Sequence, residues 1–340
     1  MEQQEAGEQK KIFLISPSPS TFTERDREAL RRGYQVREII ISNYQGRNGL
    51  KRSLLISFEI LRGVLWADLT YSWFAHNHSY LAVRLANLLG KRTLVVIGGY
   101  EVAREPEIGY GALLNPELAK RVNYIVQNAD HILAVSEFNR QEILQMSERR
   151  HVAVVYNGID CAEFTPGEEE EDLVITVCQI SQGNIALKGL DTFLESARLL
   201  PDLRFAVIGR VLDESIEDLQ RDAPKNVEFV ASPSQDELLR WYRRARVYCQ
   251  LSYRESFGVA LAEAMSCECV PVVTDRGALP EVVGEVGFVV PYGDAEATAA
   301  AIVQALQSDR GRAARVRVQE KFSLEERNKK IQKIIEEKPV

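Results

Sequence analysis

The fold is decided by the segment Val247-Tyr-Cys-Gln-Leu-Ser-Tyr-Arg-Glu-Ser-Phe-Gly-Val-Ala-Leu-Ala-Glu-Ala-Met265, which passes from an apolar run through a polar loop into an Ala-rich stretch. The apolar run predicts a strand. The stretch that begins at Gly258 predicts a helix, whose first free N–H groups can bind an anion such as phosphate. A strand, a loop and a helix in this order form one unit of a doubly wound α/β sheet.

Strands and helices alternate along the rest of the chain in the same way. Six strands are predicted in the first half, from residues 12–16 to residues 152–156, and six in the second, from residues 173–178 to residues 288–290. This alternation predicts two Rossmann-like, doubly wound parallel-sheet domains. In tandem such domains can face each other across a central cleft, where a ligand site is expected.

The boundary between the two domains is predicted at an acidic run. Residues 166–172 combine a Pro and a Gly with five consecutive acids, which favours a solvated linker; a site for a basic partner is the alternative. The chain then divides into a disordered tail (1–10), an N-terminal domain (11–165) and a C-terminal domain (173–321). Residues 322–340 have the spacing of an amphipathic helix that crosses back onto the N-terminal domain or packs on the C-terminal one.

Composition narrows the class of protein. A net charge of -7 and a pI near 5.4 give no overall attraction to nucleic acid. With no secretory signal pattern and no apolar stretch long enough to span a bilayer, a cytoplasmic protein is expected. The five scattered cysteines indicate reduced thiols, and no metal site is predicted from their spacing. For the basic residues 310–317, a patch for anionic lipid at the inner face of the membrane is the alternative to a solvated face.

Two carboxylates flank the start of the helix in the deciding segment. Glu255 precedes the helix and Glu263 lies inside it, on the order of 10 Å away at a rise of ~1.5 Å per residue. That separation is too long for a retaining glycosidase pair but suits hydrogen bonds to hydroxyls at two ends of one ligand. A helix-start acid and a solvated helix face are the plain alternatives. Because Glu263 lies among Leu261, Ala262 and Ala264, where an unpaired carboxylate is costly, the ligand role is favoured.

The segment resembles the signature of family 4 of the retaining GT-B glycosyltransferases, in which a Glu, seven residues and a second Glu lie in a strand, loop and helix. Residues 255–263 match it, and residues 271–281 and 287–294 are similar to the blocks that follow in that family. Upstream, residues 129–136 and 157–160 are similar to its interdomain stretch. The resemblance implies an enzyme that moves a sugar from a nucleotide-diphosphate sugar to an acceptor hydroxyl, with retention and without a metal or other cofactor. A cell-surface polysaccharide or a lipid-linked molecule is the acceptor that the family implies.

The resemblance also assigns roles on the donor side. Glu255 would contact hydroxyls of the transferred sugar, Glu263 the ribose, and Lys188 the diphosphate, where a cation offsets charge on the leaving group. The catalytic roles therefore fall to Glu255 and Lys188. The other donor-side candidates are Phe257, Gly258, Ser256, Gln179, Gly209, Arg210 and Arg254.

The chain departs from the family pattern on this side. Family members usually carry an Arg where this chain has Gln179, so either Lys188 acts alone or a cation such as Arg210 or Arg254 substitutes. Recognition of the nucleotide base would depend on the loops near Arg210 and residues 232–234.

The acceptor side carries weaker motifs. Prolines in residues 16–21 replace the Gly-rich loop that usually follows the first strand. His78 follows the third strand, and helix capping or packing competes there with acceptor contact. The remaining acceptor-side candidates are Gly99, Tyr100 and Glu101, which stand where many relatives have a His.

Two other functions compete with glycosyl transfer. One is a nucleotide-sugar epimerase on the same scaffold. The other is a non-catalytic protein that binds a sugar nucleotide, which the Gln179 substitution favours. The joint presence of Glu255, Lys188 and Glu263 argues against a non-catalytic protein, since binding alone does not require all three.

Overall fold

The computed structural model describes residues 9–44, 49–147, 151–168 and 170–337. The chain forms two compact units. The first unit contains the residues up to Val155 together with those from Asn328 onward, and the second unit contains Tyr156–Arg327. Each unit is an α/β structure built on its own parallel sheet.

Among the described residues, the first unit has six strands and five complete α-helices. The strands are β1 (Lys11–Ser16), β2 (Gln35–Ile40), β3 (Leu69–Trp73), β4 (Arg92–Ile97), β5 (His131–Ala134) and β6 (Ala153–Val154). The helices are α1 (Thr21–Gly33), α2 (Gly49–Trp66), α3 (Asn77–Leu88), α4 (Pro116–Asn128) and α5 (Glu137–Met146). The strands pair in parallel in the order β2-β1-β3-β4-β5-β6.

Strands β1, β3, β4 and β5 of this sheet are buried along most of their length because helices cover both faces, whereas the edge strand β2 is largely exposed. One cluster packs Phe13 and Ile15 of β1 against Ile60 and Val64 of α2. Another cluster packs β4 and β5 against α4 and α5. The helix α1 begins with a capping box in which Ser20 and Thr23 exchange hydrogen bonds, so its start is encoded locally.

The second unit has six more strands and its own helices. The strands are β7 (Glu171–Val177), β8 (Arg204–Gly209), β9 (Val227–Ala231), β10 (Ala245–Gln250), β11 (Val270–Thr274) and β12 (Phe288–Val290). The helices are α6 (Gln182–Lys188), α7 (Leu190–Leu199), α8 (Ser215–Asp222), α9 (Gln235–Arg244), α10 (Val259–Ser266), α11 (Leu279–Val283), α12 (Ala295–Leu306) and α13 (Gly311–Lys321). The parallel order is β9-β8-β7-β10-β11-β12, the Rossmann order. The direction of winding reverses between β7 and β10, and ligands of such sheets bind where the strands end at this reversal.

The division between the units precedes the predicted acidic linker. Phe164 is fully buried in the second unit, and its carbonyl accepts hydrogen bonds from Ser266 and Arg315 at 2.7 and 2.8 Å. The strand β7 begins inside the predicted linker, at Glu171, whose carboxylate accepts from Arg244 at 2.6 Å. Arginine pairing lets part of the acidic run enter a strand, which the charge pattern alone does not reveal.

The last helix, α14 (Leu324–Glu336), begins in the second unit and ends in the first. Within the first unit, Lys10 and Arg92 both donate to the carbonyl of Ile335, at 3.0 and 2.8 Å. Tyr34 donates to the Glu336 carboxylate at 2.8 Å. These contacts and the buried Ile335 side chain hold the end of α14 on the first unit.

The basic stretch at residues 310–317, for which a solvated face and a patch for anionic lipid are the alternatives, lies on and beside α13. Three of its four arginines donate to backbone carbonyls of the second unit, and Arg312 is exposed. The bonds run from Arg310 to Gly287, from Arg315 to Cys161, Phe164 and Ser266, and from Arg317 to Glu281 and Val282. These guanidinium groups therefore serve the fold, which a count of charges cannot show.

Across the described ranges, none of the helices combines the length and the hydrophobicity needed to cross a bilayer.

Candidate functional site

The polar loop after β10 is held by the connection between β11 and α11. Thr274 Oγ1 donates to the carbonyl of Ser252 at 2.7 Å, and the N–H of Ala278 donates to the carbonyl of Glu255 at 2.9 Å. Gly277 has a φ of +61°, and a Cβ there would lie 2.3 Å from the Glu255 carbonyl oxygen. Only glycine fits at this approach, which fixes the backbone of Glu255.

Lys188, the last residue of α6, is brought to the same loop by a left-handed turn. Gly189 has a φ of +65°, and a Cβ on it would lie 2.0 Å from a carbonyl oxygen of the loop. The N–H of Tyr253 donates to the carbonyl of Leu187 at 2.9 Å. With α6 and the loop joined in this way, Lys188 Nζ forms an ion pair with Glu255 Oε1.

The pair is largely shielded from water, with side-chain exposures of 21% for Lys188 and 17% for Glu255. Gln250 Nε2 and Ser252 Oγ also donate to Glu255 Oε1, at 3.1 and 3.4 Å. All three donors reach Oε1, and no described residue donates to Oε2. That oxygen, together with two of the three Lys188 N–H groups, can therefore bind a ligand.

The charge state of Lys188 follows from two opposing effects. Burial alone lowers the pKa of Lys188, but the Glu255 carboxylate outweighs it and leaves the pKa above its ordinary value. The ammonium is thus charged at neutral pH. A fixed cation in a shielded site stabilises negative charge that develops on a leaving group.

A row of polar side chains runs along β10 toward Glu255. Tyr248 donates to Gln250 Oε1 at 2.8 Å, and Gln250 Nε2 donates to Ser252 Oγ at 2.9 Å. Residues two apart on a strand share a face, so these side chains form one line. They were not among the predicted site residues. The signal for them is polar side chains at alternate positions of an otherwise apolar strand.

Glu263 lies inside α10 and is 6% exposed. The Tyr242 hydroxyl donates to its Oε2 at 3.4 Å. Burial raises the pKa of the Tyr248 hydroxyl well above its ordinary value, and Cys178, Glu255 and Glu263 add to that rise. The two carboxylates of the signature therefore both lie within electrostatic range of Tyr248.

A pocket of about 410 Å³ opens at the carboxyl ends of β7, β8 and β9. It adjoins the ion pair through Cys178, which lines the pocket and feels the charges of Lys188 and Glu255. Burial raises the pKa of the Cys178 thiol to about 11, so the wall is uncharged there. Other lining residues are Gln179, Gly209, Arg210, Ser232 and Ala260.

Close backbone packing shapes this pocket. A Cβ on Gly209, whose φ is +153°, would lie 1.7 Å from the Cys178 carbonyl oxygen, so the end of β8 requires glycine. Ser232 adopts a left-handed φ of +51°, and its N–H donates to the Gly209 carbonyl at 2.8 Å. The wall of the pocket is thus set by backbone contacts between neighbouring strand ends.

The remaining donor-side candidates differ in accessibility. Gln179 and Arg210 are exposed at the pocket, whereas Arg254 is 7% exposed. Of the two cations expected to substitute for the missing Arg, Arg210 therefore lies on the pocket wall and Arg254 is buried in the loop. Ser256 is half-buried, Phe257 is 2% exposed, and Gly258 begins α10 with a φ of +89°.

In the first unit, Glu101 organises the loop after β4. It is 2% exposed, and its carboxylate accepts from the N–H groups of Ala75, Gly98 and Gly99 at 3.0, 3.1 and 2.8 Å. Burial raises the pKa of Glu101, and these N–H groups oppose the rise. Glu101 is thus engaged with backbone, while Tyr100 beside it is exposed.

His78 is likewise turned inward. It is 6% exposed on α3, and its Nε2 donates to the carbonyl of Trp73 at 2.9 Å. Burial lowers the pKa of His78 to about 4. The side chain of His78 is therefore packed inside the first unit. Over the described ranges, His, Cys, Asp and Glu side chains form no group of three or more placed to bind a metal.

Solved structures of similar fold cover nearly the whole chain. A sucrose-phosphate synthase from Thermosynechococcus elongatus has a TM-score of 0.77 at 19% identity and covers 96% of this chain and 98% of its own. Anabaena HepE in complex with UDP and glucose has a TM-score of 0.75 at 16% identity, with 96% and 99% covered. At these identities the likeness shows the fold, that of the GT-B glycosyltransferases.

Similar sequences are glycosyltransferases of bacteria. A D-inositol 3-phosphate glycosyltransferase of Mycolicibacterium gilvum is 26% identical over 307 residues, which cover 82% of this chain and 69% of the relative. The O-antigen chain mannosyltransferase B of Escherichia coli is 28% identical over 213 residues, 56% of this chain and 55% of the relative. The chain thus spans between about half and two thirds of the length of these relatives.

Two family models together match most of the chain. The model described as Glycosyltransferase Family 4 matches residues 8–163. The model described as Glycosyl transferases group 1 matches residues 172–308, which contain the Lys188–Glu255 pair and the adjoining pocket. The chain therefore belongs to the family 4, or group 1, glycosyltransferases.

Proposed function

We propose that this chain transfers a sugar from a nucleotide-diphosphate sugar to an acceptor hydroxyl with retention of configuration. The observation that carries the proposal is the Lys188–Glu255 pair at the winding reversal of the second unit, with a 410 Å³ pocket beside it. A donor has an aromatic base, an anionic diphosphate and a polar sugar. The pocket, the ammonium and the carboxylate match these three parts in kind.

In this proposal the base and ribose occupy the pocket, with Arg210 and the backbone near Ser232 at its wall. Lys188 donates its two remaining N–H groups to diphosphate oxygens, and Glu255 Oε2 accepts from a hydroxyl of the sugar. Glu263 serves the ribose. The contacts of Lys188, Glu255 and Arg210 use groups that the ion pair leaves available or that line the pocket, and the role of Glu263 rests on the family resemblance.

Retention follows if the leaving group also acts as the base. The bond between the anomeric carbon and the diphosphate oxygen breaks. The departing diphosphate oxygen takes the proton of the acceptor hydroxyl. The acceptor oxygen then bonds to the anomeric carbon on the face that the diphosphate leaves. Lys188 stabilises the charge on the departing diphosphate, so we propose that transfer needs no metal. Transfer that persists in excess chelator supports this, and an absolute requirement for magnesium contradicts it.

Similar proteins indicate which class of donor and acceptor to propose for this chain. HepE has been solved with UDP and glucose, and the sequence relatives include a glycosyltransferase of D-inositol 3-phosphate and a mannosyltransferase. We therefore propose a hexosyl donor of UDP, GDP or ADP, with a carbohydrate or lipid-linked acceptor.

The experiment is isothermal titration of UDP, GDP and ADP into the wild-type protein and two variants. Ala260→Phe places a ring in the pocket, whereas Ala300→Phe places one on an exposed position of α12. We expect one nucleotide to bind the wild type and Ala300→Phe alike, and to bind Ala260→Phe at least about tenfold more weakly.

Product analysis by NMR with the matching nucleotide sugar then tests the reaction. A new glycosidic bond with the anomeric configuration of the donor is expected. Donor that is epimerised without a glycosylated product indicates the epimerase instead. Nucleotide binding with no conversion over a broad acceptor panel indicates the non-catalytic binder, and no binding at all contradicts the proposed site.

A further inference from the structure

The helix α2 turns a row of large apolar side chains outward. Leu50, Leu54, Phe58, Leu61 and Leu65, here called the apolar stripe, are between 36% and 73% exposed. Their spacing of three or four residues places them on one face of the helix. Exposed apolar side chains occurring singly are ordinary, but four leucines and a phenylalanine in one row form a contiguous patch of the kind that marks an interaction surface.

The opposite face of α2 is firmly packed, so the stripe is not a core face left open by a poor fit. Ile60, Gly63 and Val64 are buried in the first unit. A Cβ on Gly63 would lie 2.3 Å from the ring of Phe13, which shows how closely the helix lies against β1. The helix thus has two apolar faces, one used by the fold and one facing outward.

Positive charge accompanies the stripe. Lys51, Arg52 and Arg62 lie on α2 beside it, against a single acid, Glu59. The Arg62 guanidinium lies 5.7 Å from the centre of the Phe58 ring, at the edge of the stripe. Residues 10–66 contain eleven Lys and Arg but five Asp and Glu, a net charge of +6 in a chain whose net charge is -7. The segment that contains α2 therefore carries a net positive charge, whereas the rest of the chain is acidic.

We propose that the apolar stripe of α2 lies in the interface of an anionic lipid bilayer. A helix in that position buries its apolar face at the level of the headgroups and acyl chains while its basic side chains contact anionic headgroups. Leucine and phenylalanine flanked by lysine and arginine match this environment. The helix is not a membrane span, because its other face is occupied by the first unit.

Charge complementarity favours a bilayer over a second copy of this chain. A two-fold interface would bring the same patch of both copies together, so two surfaces of net positive charge would face each other. An anionic surface instead attracts the patch and repels the acidic remainder of the chain, which also orients the molecule. This attachment is independent of the glycosyl transfer proposed above.

The test is cosedimentation with vesicles of equal parts phosphatidylglycerol and phosphatidylcholine, compared with vesicles of phosphatidylcholine alone. We expect the wild type to bind the anionic vesicles at least about tenfold more tightly, with binding that weakens as salt is added. Leu54→Gln/Phe58→Gln removes two members of the stripe and should weaken binding by about tenfold or more. Lys51→Gln/Arg52→Gln should weaken binding to the anionic vesicles selectively.

Leu199→Gln is the matched control, since Leu199 is 51% exposed on α7 of the second unit. Its binding should equal that of the wild type, and circular dichroism should show all variants equally folded, because the replaced residues lie at the surface. The proposal is overturned if the wild-type protein binds neither kind of vesicle. It is also overturned if Leu54→Gln/Phe58→Gln binds the anionic vesicles as tightly as the wild type. A dimer in analytical ultracentrifugation that this variant dissociates, without vesicle binding, assigns the stripe to a second copy instead.

Discussion

Lys188 and Glu255 form an ion pair although 67 positions separate them in the chain. Lys188 ends α6, and Glu255 lies in the loop after β10, so each comes from one side of the winding reversal between β7 and β10. The pair therefore joins the two strand-end loops at which an open α/β sheet binds its ligand. The contributions of the cation and of the carboxylate can each be tested by a single substitution.

Glu255→Gln is expected to slow sugar transfer while strengthening the binding of the nucleotide. The amide retains hydrogen-bonding capacity toward Gln250 and Ser252 but no longer neutralises Lys188. A nucleotide diphosphate then becomes the main counterion of Lys188, so UDP, or whichever nucleotide binds, should raise the melting temperature more than in the wild type. Turnover should fall by about 100-fold or more, since the group proposed to contact the transferred sugar has lost its charge.

Lys188→Gln is the reciprocal change. We expect weaker binding of the nucleoside diphosphate with little effect on the nucleoside monophosphate, because Lys188 is proposed to contact the diphosphate. Titration of both nucleotides into both variants, with the exposed Glu285→Gln as control, measures this contrast. Equal losses for the two nucleotides would place Lys188 away from the diphosphate.

Gly277→Ala is expected to displace Glu255 and thereby reduce turnover. A Cβ at this position would meet the Glu255 carbonyl oxygen at 2.3 Å, and that contact is with rigid backbone. Misplacement of a reacting group by about 1 Å can cost about 100-fold in rate. We expect turnover to fall by at least about tenfold.

Gly293→Ala supplies the control for backbone strain. Gly293 also has a positive φ, +82°, but an added Cβ would meet nothing within 4 Å. It should lower stability by about 1 kcal/mol and leave turnover unchanged. If both variants lose turnover equally, strain rather than contact with Glu255 is responsible, and the close approach has no role in positioning the carboxylate.

The alternation of strands and helices could be predicted from sequence because apolar periodicity is a local property. Glu255 and Lys188 were identified through their family blocks, and the structure brings them together. The means by which they meet was not predicted. Gly189 and Gly277 act through contacts with distant carbonyl oxygens, and a glycine in a loop looks the same whether or not another backbone passes beside it.

Polar residues at strand ends were harder to interpret. His78 and Glu101 were expected at the acceptor, yet both are buried and bonded to backbone groups. A side chain that organises a loop and one that binds a ligand occupy the same place in the sequence pattern. The direction of the side chain separates the two cases, and it is set by packing of elements far apart in the chain.

Glu101→Gln is expected to loosen the loop after β4. The carboxylate presents two oxygens to three N–H groups, whereas the amide presents one oxygen and turns an N–H toward a donor. Leaving a buried N–H without an acceptor costs about 1–3 kcal/mol. Hydrogen exchange should accelerate at Gly98 or Gly99, and the melting temperature should fall.

The exposed Glu107→Gln is the control for Glu101→Gln and should change neither quantity. If Glu101 contacted the acceptor instead, Glu101→Gln would lower turnover and leave hydrogen exchange and the melting temperature unchanged. That result would assign Glu101 to acceptor binding and contradict its role in positioning the loop.

His78 is expected to make the first unit sensitive to acid. Its pKa is lowered by burial from 6.5 to about 4, so the unfolded chain binds a proton in this range and the folded chain does not. The neutral imidazole therefore contributes stability that is present above pH 6.5 and is lost as the pH falls toward 4, by about 3 kcal/mol in all.

Gln at this position can still donate to the Trp73 carbonyl but does not titrate, so His78→Gln should lose less stability over the same interval. Urea unfolding followed by tryptophan fluorescence from pH 7 to about pH 4.5 measures the difference, with the exposed His151→Gln as control. Parallel pH profiles for the wild type and His78→Gln would show that the imidazole binds its proton as readily in the folded chain as in the unfolded one, which contradicts the lowered pKa.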